Sequence, residues 1–540
     1  MIKIARAATL LGISISLVAS AAAEPSARST VDLLIEGGTV FDGDVHEPTQ
    51  ADVGITGDRI VFVGQAGKAG IRAKQTLPAQ GWMVTPGLID AHVHAEPELD
   101  SSDPAVRVVA RQVMQGVTTS IIGVDGEGSF EVAARLHGFE QAGVGQNVAT
   151  YVGFGAIRRH VLGEVARAPT AQELAVMKSL AARGMCEGAL GLSSGLFYAP
   201  QSFASTEEVI AVAQEAGKRG GLYDTHQRDE GDSTIGIVAS LEEALRIGRE
   251  SGAPLHLAHI KVAAPSRADG SAMLQLIQMI DAARAAGQPV TADQYPWTAA
   301  NTGLEAAIIP RWAQDGGREA MLKRFDTPTD AARIREESKV SLALAQRVLI
   351  TSAPEQPAVL GKRLSELATT WGVTPIEAAM RLLKGGEVSV AVFVMAEADI
   401  REAMMQPWVM SSSDGRSGGH PRAYASYPKL WTDYVVAQKV LTPAQFVHRS
   451  TALAADSLGL KKRGRIRVGD YADVVVIDPA RYAPRATFLE PRELATGVVD
   501  VVVNGRIELK DGKLTGILAG RALRKTPTPG TCENSARARN

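Results

Sequence analysis

The segment PGLIDAHVH, residues 86–94, decides the fold predicted for this chain. It is typical of an apolar strand that ends in His92-Val93-His94, and residues i and i+2 of a strand point to the same face. Two imidazoles on one face can bind one metal ion. The segment therefore predicts a strand with a metal site at its carboxyl end.

Four later segments end in a similar way. His226 closes GLYDTH, His259 lies near the end of PLHLAHIK, Asp414 ends WVMSSSD and Asp125 ends TTSIIGVD. Active sites of (β/α)8 barrels form at the carboxyl ends of the strands. A single histidine at a strand end is usually a satisfied polar residue, but repeated coincidence at one rim favours a metal site. His256 has the opposite parity to His259, which predicts that it faces the helices.

The middle of the chain alternates apolar strand segments with helical patterns, from MVTPGLIDAHV to WVMSSSDG. Eight such repeats predict an α/β fold, a (β/α)8 TIM barrel at residues 86–461. The last two strand segments, PVTADQYP and WVMSSSDG, lie far apart in the sequence. Either a barrel loop carries an insertion over the active face, at about residues 299–405, or the strand count is wrong by one; we favour the insertion.

Both ends of the chain have a sequence pattern that differs from that of the middle. Short β segments separated by glycine-containing turns occupy residues 24–85, and the same pattern returns at residues 462–523. Asn504-Gly505 and Asp511-Gly512 are typical of hairpin turns. Two β-rich pieces that flank an α/β middle predict one small β-sandwich domain built from both chain ends.

The composition excludes several classes of protein. Among 540 residues, 57 Lys and Arg balance 59 Asp and Glu to a formal charge of −2, which provides no basic field for nucleic acid or anionic lipid. Two cysteines are too few for a disulfide-rich scaffold or a cysteine-rich zinc site. Cys186 is either a small buried apolar residue or the disulfide partner of Cys532, and the sequence leaves both open.

The first residues predict a secretory signal peptide at residues 1–23. Lys3 and Arg6 precede an apolar run, and small residues lead up to Ala23, as in a signal cleaved after that residue. The alternative is an amphipathic first helix of the fold. We therefore expect a periplasmic or secreted protein with no later membrane span. The polar, proline-containing segment at residues 524–540 predicts a flexible tail.

The order of the motifs reveals a family resemblance. PGLIDAHVH, QGVTTSIIGVDGEG, GLSSGLFYAP, YDTHQRDEG, LAHIK, DQYP, SSDG, HPRAY and RGRIRVGDYADVVVIDP follow one another along nearly the whole chain. In this order they resemble the amidohydrolase superfamily and, within it, the N-acyl-D-amino-acid deacylases (D-aminoacylases). The resemblance implies a zinc enzyme in which Asp414 both binds metal and shuttles protons. The implied metal ligands are His92, His94, His226, His259 and Asp414.

One position departs from the family pattern. Where D-aminoacylases typically carry a cysteine ligand after the second strand, this chain has Val124-Asp125-Gly126. An aspartate is a hard oxygen ligand that can bridge two ions, so Asp125 becomes a sixth candidate ligand. The usual picture of one tight, thiolate-bound zinc is then in doubt, and one or two divalent ions are expected. The alternative is a turn-forming Asp-Gly pair with no metal contact.

These residues support hydrolysis of an amide bond. A divalent cation lowers the pKa of bound water and so provides hydroxide near neutral pH. Asp414 can accept a proton as attack begins and return it to the departing nitrogen, as general base and then acid. The expected function is therefore a metal-dependent hydrolase of N-acyl amino acids, and the resemblance implies the D-amino acids.

The free carboxylate of such a small-molecule substrate needs cations and hydrogen-bond donors. Lys261 shares parity with His259, so it is expected on the active side of its strand, one pleat above the metal. The resemblance assigns Lys261 and Tyr198 to the substrate carboxylate. The further candidates, each otherwise a structural ion pair or a packed ring, are Arg228, Tyr295 and Arg422. The acidic neighbours expected to be solvated, or to contact the site only indirectly, are Glu230 and Glu243.

Two other functions remain open on the sequence. Another amidohydrolase would act on dipeptides, cyclic amides or other N-acyl compounds, because metal ligands report the reaction and not the substrate. No lysine ends the segment at residues 188–194, which weakens the branches of the superfamily that use a carboxylated lysine. The remote alternative is a non-catalytic secreted binding protein. A non-catalytic relative would be expected to lack Asp414 or one of the candidate metal histidines. Because all of these residues are present, this alternative is disfavoured.

Overall fold

The computed structural model describes residues 30–263, 271–338, 340 and 342–532. The predicted signal peptide at residues 1–23 lies outside the described residues. Within the described part of the chain, no helix is long and apolar enough to cross a membrane.

A barrel of eight parallel strand positions forms the centre of the molecule. Each position pairs in parallel with the next one along the chain. Strand Val117–Ile122 is buried at every residue, because a parallel barrel strand is covered on both faces. The α/β barrel predicted from the sequence is confirmed. In order, the strands are Leu88–Asp90, Val117–Ile122, Asn147–Thr150 (continued by Val152–Gly153), Gly191–Gly195, Leu222–His226, Leu255–Leu257, Val290–Gln294 and Val409–Ser411.

Helices surround the barrel and bury one apolar face each. Helix Thr206–Lys218 buries Val209 and Val212 against the barrel, and Ser205 caps it by accepting a hydrogen bond from the backbone of Glu208. The longer helices are Val132–Ala142, Phe154–Leu162, Ala171–Cys186, Thr206–Lys218, Ile237–Ser251, Ser271–Ala285, Glu397–Met404, Arg422–Lys429, Pro443–Ser450 and Ala452–Leu458. Shorter turns of helix are Ala66–Ala69, Glu96–Leu99, Pro104–Arg107 and Ala110–Val113, and Leu430–Ala437 is a π-helix.

The first and eighth barrel strands are joined by a buried aspartate. Oδ1 of Asp90 accepts a 2.9 Å hydrogen bond from the backbone of Ser413, and Oδ2 accepts one from the Ser413 hydroxyl. Directly above, the backbone N–H of Asp414 donates to the carbonyl of His92 at 2.9 Å. Closure of the barrel therefore holds the two candidate metal residues side by side.

The two chain ends form one sheet of nine strands. Strand Val474–Ile477 pairs antiparallel with Met83–Pro86, and apolar side chains of both ends, such as Ile35 and Val502, share one buried cluster. Asn504 and Gly505 both have positive φ, as the predicted hairpin turn requires. The strands are Thr30–Val40, Thr49–Thr56, Arg59–Gly64, Arg72–Pro78, Met83–Pro86, Val474–Ile477, Val498–Val503, Arg506–Lys510 and Lys513–Leu514.

The segment between the seventh and eighth barrel strands folds into a small α/β unit, here called the inserted unit. Its antiparallel strands are Ala300–Gly303, Val348–Ser352 and Ser389–Val392. Its helices are Leu304–Ile308, Gly317–Asp326, Pro328–Glu337, Leu342–Arg347, Leu364–Trp371 and Pro375–Lys384, with 3-10 turns at Arg311–Gln314 and Pro357–Val359. The unit has an apolar cluster of its own. Thr302 in its first strand donates a 3.4 Å hydrogen bond to Oη of Tyr198, so the unit borders the carboxyl rim of the barrel.

The last described residues are held against the barrel. The backbone of Lys525 donates to the carbonyl of Gly188, and Cys532 forms a disulfide with Cys186, at the end of helix Ala171–Cys186. The flexible tail predicted at residues 524–540 is therefore wrong for its described part, because backbone hydrogen bonds and a covalent bond hold it. The remaining residues of that tail lie outside the described part of the chain.

Candidate metal centre

The side chain of Asp125 lies among four histidines at the carboxyl rim of the barrel. Its Oδ1 is 3.5 Å from Nε2 of His92 and 3.7 Å from Nδ1 of His226. The same oxygen is 3.5 Å from Nε2 of His259, while Oδ2 is 3.4 Å from Nε2 of His94. All five residues are buried. The aspartate thus takes the central position among residues that are far apart in the sequence.

Asp414 faces the same space from the end of the eighth strand. Its Oδ1 is 3.8 Å from Nε2 of His92 and 3.6 Å from Nε2 of His94. Its Oδ2 is 2.7 Å from Nη1 of Arg422. Burial raises the pKa of Asp414, but the charges of Arg422 and His259 hold it well below its usual value, so the carboxyl group is ionised.

Three of these residues have left-handed backbone conformations. φ is 54° at Asp125, 36° at His259 and 47° at Asp414, values that residues other than glycine rarely adopt. Such conformations cost about 1–3 kcal/mol each and persist only where the surrounding structure imposes them. Each residue follows the end of its strand by two or three positions. The turn, and not the strand, therefore sets the direction of the side chain.

The donor set fits a divalent cation. Ligands about 2.0–2.1 Å from a tetrahedral ion lie about 3.3 Å from one another, close to the 3.4 to 3.8 Å separations measured here. Among the described residues, several of these buried donor atoms have no hydrogen-bond partner, which is rare unless a ligand satisfies them. They are Nε2 of His92, Oδ1 of Asp125 and Nδ1 of His226.

Three overlapping groups of donors could each hold an ion. Within each group, the donor atoms lie within 4.8 Å of one another, and Asp125 belongs to two of the groups. The groups are His92, His94 and Asp125; His92, His259 and Asp414; and Asp125, His226 and His259. All six residues predicted to bind metal are therefore brought together, in an arrangement with room for one or two ions.

The electrostatics of this group favour cations. Burial alone would lower the pKa of His92, but the carboxylates of Asp125, Asp293 and Asp414 raise it to about 10. Burial raises the pKa of Asp125, but the surrounding histidines hold it well below its usual range. The field that attracts protons to His92 also attracts a divalent ion, so metal binding releases protons.

Glu230, in the loop after the fifth strand, contacts two candidate ligands and one candidate substrate residue. Its Oε1 is 2.7 Å from Nζ of Lys261 and 3.1 Å from Nδ1 of His259, and its Oε2 is 3.3 Å from Nε2 of His226. In both histidines this nitrogen is the one remote from Asp125. A carboxylate at the remote nitrogen of a ligating histidine fixes its orientation and tautomer. The sequence could not predict these contacts, because nothing in THQRDEG shows that the loop folds back over the histidines.

A second buried carboxylate, Asp293, lies behind His92. Its Oδ2 is 3.9 Å from Nδ1 of His92 and 2.9 Å from Nε2 of His256. His256 therefore points into the barrel, with Nδ1 bonded to Thr291, and the prediction that it faces the helices is wrong. That prediction extended the strand alternation to His259, which lies two residues beyond the strand in a left-handed conformation.

Four of the five predicted substrate residues border the same space. The ring centroid of Tyr198 is 4.8 Å from that of His226. Tyr295 lies between two cations, with its ring centroid 4.8 Å from the guanidinium carbon of Arg422 and 5.6 Å from Nζ of Lys261. These residues lie on the side of Asp414 and Glu230, where a substrate would meet both a cation and an aromatic face.

Arg228, the fifth candidate, is engaged elsewhere. Its Nε and Nη2 are 2.7 and 2.8 Å from the carboxylate of Glu243, and the guanidinium also donates to the carbonyls of Ser202 and Ala204. It therefore joins the loop after the fourth strand to helix Ile237–Ser251. The structural ion pair considered as the alternative is what Arg228 forms, and Glu243 is its partner and not a solvated residue.

A model of the amidohydrolase family matches residues 75–508. The chain belongs to this family. The amidohydrolase is also 32% identical to the D-aminoacylase of Alcaligenes xylosoxydans xylosoxydans, over 92% of the chain and 98% of the relative. The family predicted from the sequence is confirmed.

Two solved structures are similar to the amidohydrolase. One is a D-aminoacylase described for its binuclear metal centre, with a TM-score of 0.78, 31% identity and coverage of 92% of this chain and 100% of that one. The other is the N-acyl-D-glutamate deacylase of Bordetella bronchiseptica, complexed with zinc and a phosphonate inhibitor, with a TM-score of 0.78, 28% identity and the same coverage. The amidohydrolase is a D-aminoacylase-like enzyme.

Replacing Glu230 by Gln should weaken binding of a divalent metal about 10- to 100-fold, because the orienting charge behind two histidines is lost. Competition between the protein and a chelator for zinc measures the change. Glu243→Gln is the matched control, since Glu243 is a half-buried glutamate of the same region that contacts Arg228 and Thr206 and no candidate metal ligand. It should lower the melting temperature and leave zinc affinity unchanged. Equal zinc affinity in Glu230→Gln and the wild type would contradict the assignment.

Proposed function

We propose that the protein is a metal-dependent hydrolase that cleaves the amide bond of N-acyl-D-amino acids. The observation that carries the proposal is the central carboxylate of Asp125 among four histidines, with the ionised Asp414 beside them. The likeness to D-aminoacylases over nearly the whole chain supports the choice of substrate class.

We propose zinc as the metal, with two ions sharing Asp125. The first ion would use His92 and His94, and the second would use His226 and His259. Support comes from the two donor groups that have Asp125 in common and from the similar structures with a binuclear centre and with zinc. An oxygen ligand such as Asp125 can bridge two ions. One carboxylate would then supply a ligand oxygen and negative charge to both sites.

Asp414 is the proposed general base and acid. Bound metal supplies the charge that acidifies a water molecule and polarises the amide carbonyl. The carboxylate of Asp414 faces the metal space through Oδ1 and is held by Arg422 through Oδ2. It can therefore accept a proton from the attacking water and then donate it to the departing nitrogen.

The substrate carboxylate is proposed to lie over Tyr295, between Lys261 and Arg422. Both cations lie within 6 Å of that ring and already contact carboxylates of the site, Glu230 and Asp414. An added carboxylate therefore enters an existing ion-pair network. Tyr198 remains protonated, because burial raises its pKa well above the usual value, and can donate a hydrogen bond to the substrate.

Export to the periplasm or beyond the cell is proposed as the location. The disulfide between Cys186 and Cys532 supports it, because such bonds persist mainly in oxidising compartments. Mass spectrometry of the protein from a periplasmic fraction should find a mature chain that starts at Glu24, with both cysteines protected from alkylation. A full-length chain with two free thiols in the cytosol would contradict export.

The substrate class is tested with matched pairs of N-acetyl-D- and N-acetyl-L-amino acids and detection of the free amine. Inverting Cα while the carboxylate stays bound moves the amide away from the reacting groups, and a misplacement of about 1 Å can cost about 100-fold in rate. The likeness to D-aminoacylases makes the D-enantiomer the one expected to fit, so the D-substrates should be hydrolysed at least about tenfold faster. Hydrolysis of cyclic amides or dipeptides in preference to both would favour another amidohydrolase activity.

Replacing Asp414 by Asn should lower kcat by at least about 100-fold, because the amide keeps the shape of the side chain but cannot accept the proton. Steady-state kinetics on the best N-acetyl-D-amino acid measure the change. Metal content and the melting temperature are the controls, since loss of either would explain inactivity without a proton transfer. Near-wild-type turnover in a metal-loaded variant would show that another group is the base.

A further inference from the structure

His420 is a buried histidine that the proposed mechanism does not use. It lies in the loop between the eighth barrel strand and helix Arg422–Lys429, and only 2% of its surface is exposed. The preceding residue, Gly419, packs closely on the backbone of the inserted unit, where an added Cβ atom would lie 1.9 Å from the carbonyl oxygen of Thr351. The inserted unit therefore constrains the path of this loop just before His420.

Both ring nitrogens of His420 have partners, and these partners define the state of the ring. Nδ1 accepts a 3.0 Å hydrogen bond from the backbone N–H of Arg422. Nε2 donates one of 3.1 Å to the carbonyl of Ala299, which lies between the seventh barrel strand and the inserted unit. A ring that accepts at one nitrogen and donates at the other is neutral, with its proton on Nε2. Burial and the charge of Arg422 hold the pKa of His420 well below its usual value, so the ring stays neutral at neutral pH.

The hydrogen bond to Nδ1 holds the start of the helix that carries Arg422. Arg422 is the first residue of helix Arg422–Lys429, so its backbone N–H has no acceptor within the helix. The His420 ring supplies that acceptor. The side chain of Arg422 extends to Asp414, 2.7 Å from Nη1, and its guanidinium carbon lies 4.8 Å from the ring centroid of Tyr295. Among the described residues, Nε of Arg422 has no hydrogen-bond partner, so this donor is available to a ligand.

Aromatic rings from distant parts of the chain enclose His420. The ring centroids of Trp297 and Phe488 lie 5.8 and 4.9 Å from that of His420, both in edge-on contact. Phe393 of the inserted unit packs against Phe488 with the centroids 4.8 Å apart. Phe488 belongs to a loop of the nine-stranded sheet that the chain ends form. These rings limit the access of water to the hydrogen bonds of His420, and such bonds are stronger where the local dielectric constant is low.

We propose that His420 is a positioning residue for the substrate carboxylate, because it fixes the backbone of Arg422, and that Phe488 holds the His420 ring in place. The inference rests on the proposed function, in which Arg422 binds that carboxylate. It gives the nine-stranded sheet a part in substrate binding, through one ring at the rim of the barrel. A shift of the guanidinium by about 1 Å would misplace the substrate and can cost about 100-fold in rate.

Two variants of His420 separate the hydrogen-bond acceptor from the rest of the ring. His420→Asn places an amide oxygen near the position of Nδ1, where it can accept from the backbone of Arg422. His420→Gln reaches the position of Nε2 instead and leaves that N–H without an acceptor. His420→Gln should lower kcat/KM for the best N-acetyl-D-amino acid about 10- to 100-fold, whereas His420→Asn should stay within about threefold of the wild type. Steady-state kinetics on the metal-loaded proteins measure both values, and melting curves show whether each variant is folded.

The loss should depend on the substrate carboxylate and on Arg422. N-acetyl-D-leucine and N-acetyl-D-leucinamide form a matched acid and amide. His420→Gln should lower the ratio of their kcat/KM values, acid over amide, about tenfold. In the Arg422→Gln background the same substitution should have little further effect on this ratio, because the two residues act as a unit. A merely structural role would lower both substrates alike and would add to the effect of Arg422→Gln.

Phe488→Ser tests the contribution of the nine-stranded sheet. It admits water to the His420 ring and should lower the acid-to-amide ratio in the same direction as His420→Gln, by a smaller factor. Leu489→Ser is the matched control, since Leu489 is the next residue and is 84% exposed. His448→Gln is the control for the loss of a histidine, because Nδ1 of His448 bonds the carbonyl of Gly43, between the first two strands of that sheet. Both controls should leave the ratio unchanged.

Several results would overturn the assignment. An unchanged ratio in a folded His420→Gln variant contradicts it, and so do equal losses in His420→Asn and His420→Gln, since the acceptor would then be irrelevant. An unchanged ratio in Phe488→Ser removes the role of Phe488, and if His420→Gln does not fold, this variant decides the whole inference. A metal-loaded wild type that hydrolyses no N-acyl-D-amino acid would overturn the proposed function together with the inference, whereas the other results overturn the inference alone.

Discussion

The arrangement of side chains at the carboxyl rim of the barrel depends on one constraint, the burial of the Asp125 carboxylate among four imidazoles. Removing an ion from water costs several kcal/mol unless opposite charges and hydrogen-bonding groups surround it. The surrounding groups come from the ends of the first, fifth and sixth barrel strands, while Asp125 follows the second. The carboxylate is therefore tolerated only in a barrel whose strands are correctly assembled, and in that barrel it provides a strong cation site.

Assembly of the barrel also imposes the unusual backbone of the site. Asp90 joins the first strand to the eighth through Ser413, and the next residue, Asp414, is left-handed and bonded to the backbone of His92. The hydrogen bonds of the closed barrel offset the cost of this conformation. A site built at strand ends can thus hold aspartate where an isolated turn would favour glycine or asparagine.

Residues that contact the candidate ligands also contact the candidate substrate groups. Glu230 lies between His259 and Lys261, and Arg422 lies between Asp414 and Tyr295. The candidate metal ligands and the candidate substrate residues therefore share one ion-pair network, so a change in the charge of one group alters the electrostatic environment of the other. The inserted unit has an apolar core of its own and reaches this network only at the rim, where Thr302 contacts Tyr198.

The sequence by itself determined the barrel, the two-ended sheet and the six candidate metal residues. The strands and helices follow from local hydrophobic periodicity, and the metal residues follow from the position of a polar residue at each strand end. Both signals can be read directly along the sequence. Tertiary structure decided the rest. His256 points into the barrel by the alternation of its own strand, and His259 can point there too because it lies beyond the strand in a left-handed turn. Glu230 reaches two histidines because its loop folds back, and Arg228 pairs with Glu243 on a neighbouring helix. Such contacts depend on the path of the loops and turns in the folded chain. Pairs of charges that are far apart in the sequence produce no periodic pattern, so the sequence does not reveal them.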